Sequence, residues 1–216
     1  VAIAGVSGDN DRRTKEEARP LPDLSLGCRC GTVRGAVRDV SPSGGTHLVC
    51  YCRDCQAYAR HLGRADLLDP AGGTAIFQTS IGRIAFDAGA ERLTCLRLSP
   101  KGLVRWYAGC CSTPVINLPP TAALPFGGIV TACLAEADLV AAIGPVVATY
   151  KTAQARPGKG APRRDHGGLT VLRRFAAATL AARRRGEHRT SPFHEGGAPK
   201  IAPRVLTAEE RRAAYS

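Results

Sequence analysis

From Leu24 onward, apolar residues alternate with small or polar ones. In LSLGCRCGTVRGAVRDV, Val33, Gly35 and Val37 fall two apart, the period of a strand. SPSGG (41–45) marks a turn, and HLVCYC resumes as a second short strand. DCQAYARHLG reads as one or two helical turns ended at Gly63. TAIFQTS, RIAFDAG and RLTCLRLS follow as three further strands, and LVRWYAGCC as another that breaks at CSTP. GIVTACL predicts a last strand before a short helix, EADLVAAI, and the Gly144–Pro145 break. Strands this regularly spaced predict a mostly β, layered domain with short helices.

Either side of this stretch the pattern changes. Residues 1–24 are polar, with Pro20 and Pro22, and read as a flexible tail. After Tyr150, KTAQARPGKGAPRRDHGG is rich in Pro, Gly and Arg and reads as a linker. The segment 169–185 places Leu169, Leu172, Phe175, Ala176, Thr179 and Leu180 at helical spacing, predicting an amphipathic helix. Thr207 followed by Glu210 predicts a capping box opening a short terminal helix. The expected organisation is a tail (1–24), a metal-binding domain (25–150) and a basic, helical C-terminal extension (151–216).

Charge sharpens that division. The formal net charge is +12, and residues 151–216 alone hold 15 basic and 5 acidic side chains. The basicity belongs to the extension, where arginines can meet nucleic-acid phosphates. No recognition motif accompanies them, so a solvated extension is the preferred reading. No run reaches the ~18 apolar residues of a membrane span. The richest stretch, 132–148, is interrupted by Glu136, Asp138, Gly144 and Pro145. No export signal pattern is visible, so a cytoplasmic protein is expected.

Nine cysteines in 216 residues carry the chemistry. A reducing cytoplasm keeps thiols free, and C-x-C and C-x-C-x-x-C spacings suit several thiolates converging on one ion better than separate disulfides. Three clusters stand out: Cys28-Arg29-Cys30-Gly31, Cys50-Tyr51-Cys52-Arg53-Asp54-Cys55-Gln56 and Gly109-Cys110-Cys111-Ser112-Thr113-Pro114. Seven ligands divide as four plus three: a closed structural zinc site, and a site with one position open to water or a substrate thiol. Whether Cys110 and Cys111 both bind metal stays open. The alternative for Cys52-x-x-Cys55 is a redox dithiol. Cys95 and Cys133 sit in apolar strand patterns and read as core residues. The five histidines show no metal-like spacing. Trp106 and Tyr107 are expected beside the distal cluster, and Arg29 and Arg53 either in solvent or compensating thiolate charge.

These motifs resemble the glutathione-dependent formaldehyde-activating enzymes and their centromere-protein-V-like relatives. The resemblance rests on C-x-C-G, about twenty residues, C-x-C-x-x-C-Q, and a distal cysteine followed by a small residue, Thr and Pro. It spans roughly residues 25–130 and looks closest to an uncharacterised bacterial branch. It implies a β-tent-like fold with two zinc ions. Cys28 and Cys30 would hold a structural zinc together with the distal cluster, and Cys50, Cys52 and Cys55 a catalytic one. It further implies that the second zinc receives the glutathione sulfur for addition to formaldehyde. In two places the chain departs from the pattern: Tyr51 stands where the family has His, and Ala108 where the distal motif has its first cysteine. Two functions follow. One is a carbon–sulfur lyase acting on a glutathione–aldehyde adduct. The other is a non-catalytic zinc-stabilised module whose basic extension contacts nucleic acid or protein. Because every candidate ligand precedes residue 112, the extension is expected to be dispensable for metal binding.

Overall fold

The computed structural model describes residues 21–121, 123–135, 139–158, 160–189 and 191–216. The expectation of a tail falls almost wholly outside these residues. The protein is mostly β. Its strands are β1 (Leu24–Gly27), β2 (Arg34–Val37), β3 (Thr46–Cys50), β4 (Thr74–Ser80), β5 (Ile84–Ala88), β6 (Leu93–Arg97) and β7 (Val104–Ala108). They continue as β8 (Thr113–Leu118), β9 (Phe126–Val130), β10 (Leu134–Ala135), β11 (Ala148–Tyr150), β12 (His194–Glu195), β13 (Ala198–Pro199) and β14 (Arg204–Val205). Among the described residues four α-helices accompany them: α1 (Arg53–His61), α2 (Leu139–Ile143), α3 (Gly168–Arg184) and α4 (Ala208–Tyr215). Among the described residues no helix is long and apolar enough to cross a membrane.

A four-stranded sheet runs β10-β1-β2-β5, and an eight-stranded one runs β11-β3-β4-β9-β8-β7-β6-β14. The large sheet is antiparallel except at its two ends, where β11 joins β3 and β14 joins β6 in parallel. The main core lies between these sheets. Leu24, Leu26 and Val37 from the small sheet meet Phe77, Trp106, Ile116 and Ile129 from the large one. The strand period dictates which residues enter. In β1, Leu24 and Leu26 are buried while Ser25 between them is exposed. Cys95 and Cys133 are buried apolar residues of this core.

Three differences from the sequence reading have physical causes. The stretch 24–40 is a hairpin, β1–β2, and Cys28 and Cys30 lie in its turn. Gly31 adopts φ 76 there, a left-handed conformation that glycine takes without a Cβ penalty. β8 goes unpredicted because Pro114 and Asn117 interrupt its apolar pattern, although all six of its residues are buried. The sheet accommodates the proline with a register shift between Trp106 and Tyr107, where Tyr107 faces Pro114. Finally, α3 does not bury the predicted stripe. Leu169, Leu172 and Leu180 are exposed, while Val171 packs on the core and Phe175 meets Phe126 edge-to-face at 4.8 Å. Arg174 sets this rotation by donating to the carbonyls of Pro42 and Gly45.

Nor does packing stop at Tyr150. Phe193 is fully buried between the sheets, with ring centroids 5.2 Å from Trp106 and 5.8 Å from Phe86. Leu206 and Ala214 form a second cluster with Ala57, Tyr58, Leu96 and Leu98, which Tyr107 joins from its edge. The capping box forms as the sequence indicates: Thr207 accepts from the Glu210 N–H, and Glu210 from the Thr207 N–H.

Candidate metal centres

The fold gathers the seven clustered cysteines into two groups, Cys28–Cys30–Cys110–Cys111 and Cys50–Cys52–Cys55, each with all its sulfurs within 4.8 Å of one another. The first is built from two tight turns that the antiparallel sheets bring together. In the β1–β2 turn, the Val33 N–H donates to Cys28 Sγ at 3.2 Å. In the β7–β8 turn, Ser112 takes a left-handed φ of 55, which reverses the chain so that the adjacent Cys110 and Cys111 both reach one point. Both sulfurs therefore lie in the one group that could hold an ion. Ala108, where the resemblance places a cysteine, is a fully buried core residue.

Sulfur spacing tests whether these groups suit an ion. Bonds of about 2.3 Å to a tetrahedral centre put sulfurs about 3.8 Å apart. Here Cys28–Cys30 is 3.5 Å, Cys28–Cys110 3.8 Å, Cys30–Cys110 3.4 Å and Cys110–Cys111 3.9 Å. Thr113 ties the turns beneath, its hydroxyl oxygen accepting from the Arg29 N–H and the buried Arg64 guanidinium and lying 3.1 Å from Cys111 Sγ. A hydrogen bond from Thr32 brings the exposed Cys30 thiol down to about 6, whereas desolvation and its sulfur neighbours push Cys110 up to about 12.

The second group joins the end of β3 to the start of α1. Cys52 is the N-cap of α1 and its sulfur accepts from the Cys55 N–H. The unpaired N–H groups at a helix start favour thiolate charge there. Against this and a hydrogen bond with Cys50, hydrogen bonding to Cys55, burial and the Cys55 charge push the Cys52 thiol above its usual range. Cys55 is buried beside Leu48, Ile76 and Ala148. Three sulfurs this close cannot all ionise unaided. Hydrogen bonds from Cys50 and Cys52, and then the Arg105 charge, hold the Cys55 thiol well below its usual range, while hydrogen bonding to Cys52 and Cys55 and burial push Cys50 up. A divalent cation would remove that conflict.

Arg105 escaped the sequence reading. It is 3% exposed, and its guanidinium lies 3.9 Å from Cys55 Sγ, donates to Asn117 Oδ1 at 2.9 Å and sits 5.1 Å from the Tyr58 ring centroid. The available signal was a lone charge in VRWYA, between Val104 and Trp106 that face the core. Arg29 and Arg53, which do adjoin the ligands in sequence, are exposed. Tyr51, at the family's histidine position, is buried and donates to Asp69 Oδ2, so it holds the 69–73 loop. No histidine with a described side chain joins either group. Trp106 packs on Phe193.

All three cysteines of the second group line a cleft of about 410 Å³. Leu48, Ile76, Phe126 and Phe175 supply apolar walls, and Arg105, Asn117, Gln78, Lys151 and Asp54 polar ones. Gly128 leaves the cleft room: a Cβ there would come 2.7 Å from Ile76 Cγ2. Replacing Arg105 with Met should weaken metal binding at this group about 10- to 100-fold, the usual cost of losing a group that supports a metal ligand. Competition with a chromophoric chelator, reading the two sites in turn, checks this. Arg105→Lys should recover part of the loss, because it restores charge without the planar fork.

Fold and site together define a mostly β protein carrying two cysteine groups able to hold metal ions. Residues 22–202 match a family described as a family of unknown function (DUF6151), and the chain belongs to it. That match runs across Tyr150 and takes in Phe193. No curated protein matches the chain. Among solved structures, a crystal structure of a Rhodobacter sphaeroides protein is similar, at 18% identity and a TM-score of 0.38 over 53% of this chain and 91% of that one.

Proposed function

We propose that the chain is a two-zinc protein of the formaldehyde-activating type, acting on a small thiol such as glutathione as a carbon–sulfur lyase. The carrying observation is the contrast between its two cysteine groups. Four sulfurs all within 4.8 Å of one another, four of their six separations lying at 3.4–3.9 Å, suit a structural zinc held by Cys28, Cys30, Cys110 and Cys111. Cys50, Cys52 and Cys55 offer three sulfurs and, among the described residues, no fourth Cys, His, Asp or Glu atom within 4.8 Å of all three, yet they line a cleft with room for a ligand, to which Asp54 also contributes. All-thiolate donor sets select soft or borderline metals, and zinc is the commonest.

Bound at the second group, zinc would supply a Lewis acid that lowers the pKa of a thiol in its open position. The chain's own residues would do the rest. Leu48, Ile76, Phe126 and Phe175 exclude water from the sulfur's surroundings. Arg105 offsets the thiolate charge and is itself oriented by Asn117. Lys151, at the cleft's edge, can meet a substrate carboxylate. The product of joining glutathione to formaldehyde would be S-(hydroxymethyl)glutathione.

Metal analysis should find two zinc ions per chain. In cobalt-substituted protein, glutathione should shift the sulfur-to-cobalt charge-transfer band, and Cys52→Ser should abolish that shift. Wild-type protein that holds two ions but ignores glutathione and other small thiols would favour the non-catalytic module. The observation behind that second reading is the outer face of α3, where exposed Leu169, Leu172 and Leu180 lie among exposed Arg173, Arg183 and Arg184.

A further inference from the structure

A second cavity, which shares Phe126 with the lining of the cysteine cleft, is lined by α3 and residues 43–46. It measures about 220 Å³, below the roughly 300–1,000 Å³ of sites for drug-sized ligands. Its lining contains three guanidinium groups, Arg83, Arg174 and Arg185, and no carboxylate. The hydroxyl-bearing residues Ser43, Thr46 and Ser80 complete the polar half, and a strip of α3 alanines with Phe126 forms the apolar half.

The three arginines are held from behind. Arg83 donates to the Asp39 carbonyl, and Arg174 donates to the carbonyls of Pro42 and Gly45. Glu187 pairs with Arg185 and lies 3.9 Å from Arg83. Burial works against the ionised Glu187, but the hydrogen bond from Arg185 and the two arginine charges hold it below the usual carboxylate range. Each bond uses only part of a guanidinium's five donors. One carboxylate, together with about half a charge from the α3 C-terminus, leaves three cations uncompensated by roughly 1.5 charges.

We propose that this cavity binds a phosphate group, as inorganic phosphate or as the head of a small phosphate monoester. Converging planar forks match phosphate oxygens bidentately, which a lone ammonium cannot do. The hydroxyls add donors, and the alanine strip accepts a short carbon substituent. The volume holds a monoester of a few carbons, and the rest of a larger ligand such as a nucleotide would project from the mouth.

Calorimetric titration of the full zinc-loaded chain at 150 mM sodium chloride tests this, with inorganic phosphate and glycerol phosphate as separate probes. Both should bind, with glycerol phosphate tighter if the apolar strip is used and inorganic phosphate tighter if free phosphate is the ligand. Arg83→Gln and Arg185→Gln should each weaken binding at least tenfold. Arg173→Gln removes the same charge from the exposed side of α3 and should change nothing. Arg174 is left untouched because it anchors the helix. Thermal melts confirm that each variant is folded, and folded variants alone are compared. No heat from wild-type protein at 10 mM phosphate would overturn the proposal. So would an equal loss in Arg173→Gln, which would reduce the effect to the general field of a basic surface.

Discussion

Cys28→Ser should leave a chain unable to hold its fold, whereas Cys52→Ser should leave a folded one lacking a single metal ion. The difference lies in what each group ties together. Cys28 meets Cys110 across 82 residues of sequence, joining the turn of the small sheet to a turn of the large one. Metal at such a site contributes about 10–16 kcal/mol of apparent folding free energy, comparable with the whole 5–15 kcal/mol stability of a typical domain. Cys28 is also buried, and its sulfur accepts from the Val33 N–H, so a serine there leaves a short polar side chain under the core edge. Cys50, Cys52 and Cys55 span six residues and cross-link little chain. Metal counts and thermal melts on the two variants separate these outcomes. Equal destabilisation would mean that both groups are structural, and the lyase reading would lose its vacant site.

Deleting residues 151–216 should unfold the protein or make it insoluble, contrary to what the ligand positions alone suggest. The deletion removes Phe193 from between the sheets, β14 from the edge of the large sheet, and α4 from the face of α1. Loss of a buried phenylalanine by itself costs about 3–5 kcal/mol. The second cysteine group would suffer directly. Arg60 of α1 donates to the Ala214 carbonyl, Tyr215 donates to Asp54 beside Cys55, and Gln154 accepts from the Arg53 N–H. Phe193→Ala isolates the core term in a chain of full length. Its denaturation midpoint should fall by an amount equivalent to about 3–5 kcal/mol, with both metal ions still bound in the folded fraction. A soluble, fully metallated 1–150 fragment would show that the later segment only decorates a self-sufficient domain.

The amino-acid sequence by itself determined what is encoded over short distances. Two-residue alternation placed β3 to β7 and marked 24–40 as extended, Gly63 ended α1, and Thr207 with Glu210 opened α4, because each signal lies within a few residues. Cysteine spacing likewise separated seven clustered thiols from Cys95 and Cys133, since C-x-C and C-x-x-C are local metal-binding turns. Features that depend on contacts between distant segments were decided by the tertiary structure. The left-handed Ser112 turns both Cys110 and Cys111 toward Cys28 and Cys30. A bulge at Val115, beside Pro114, rescues β8 from a residue that cannot donate to the ladder. The carbonyls of Pro42 and Gly45 capture Arg174 and rotate α3 away from its leucine stripe. Arg105 became part of a site only when the sheet set it against Cys55 and Asn117, fifty and twelve residues away. The apparent independence of the basic segment failed for the same reason. Its composition resembles a solvated tail, but one phenylalanine, one short strand and one capped helix are enough to bind it to the core, because burial free energy depends on where those few side chains land rather than on the average polarity around them.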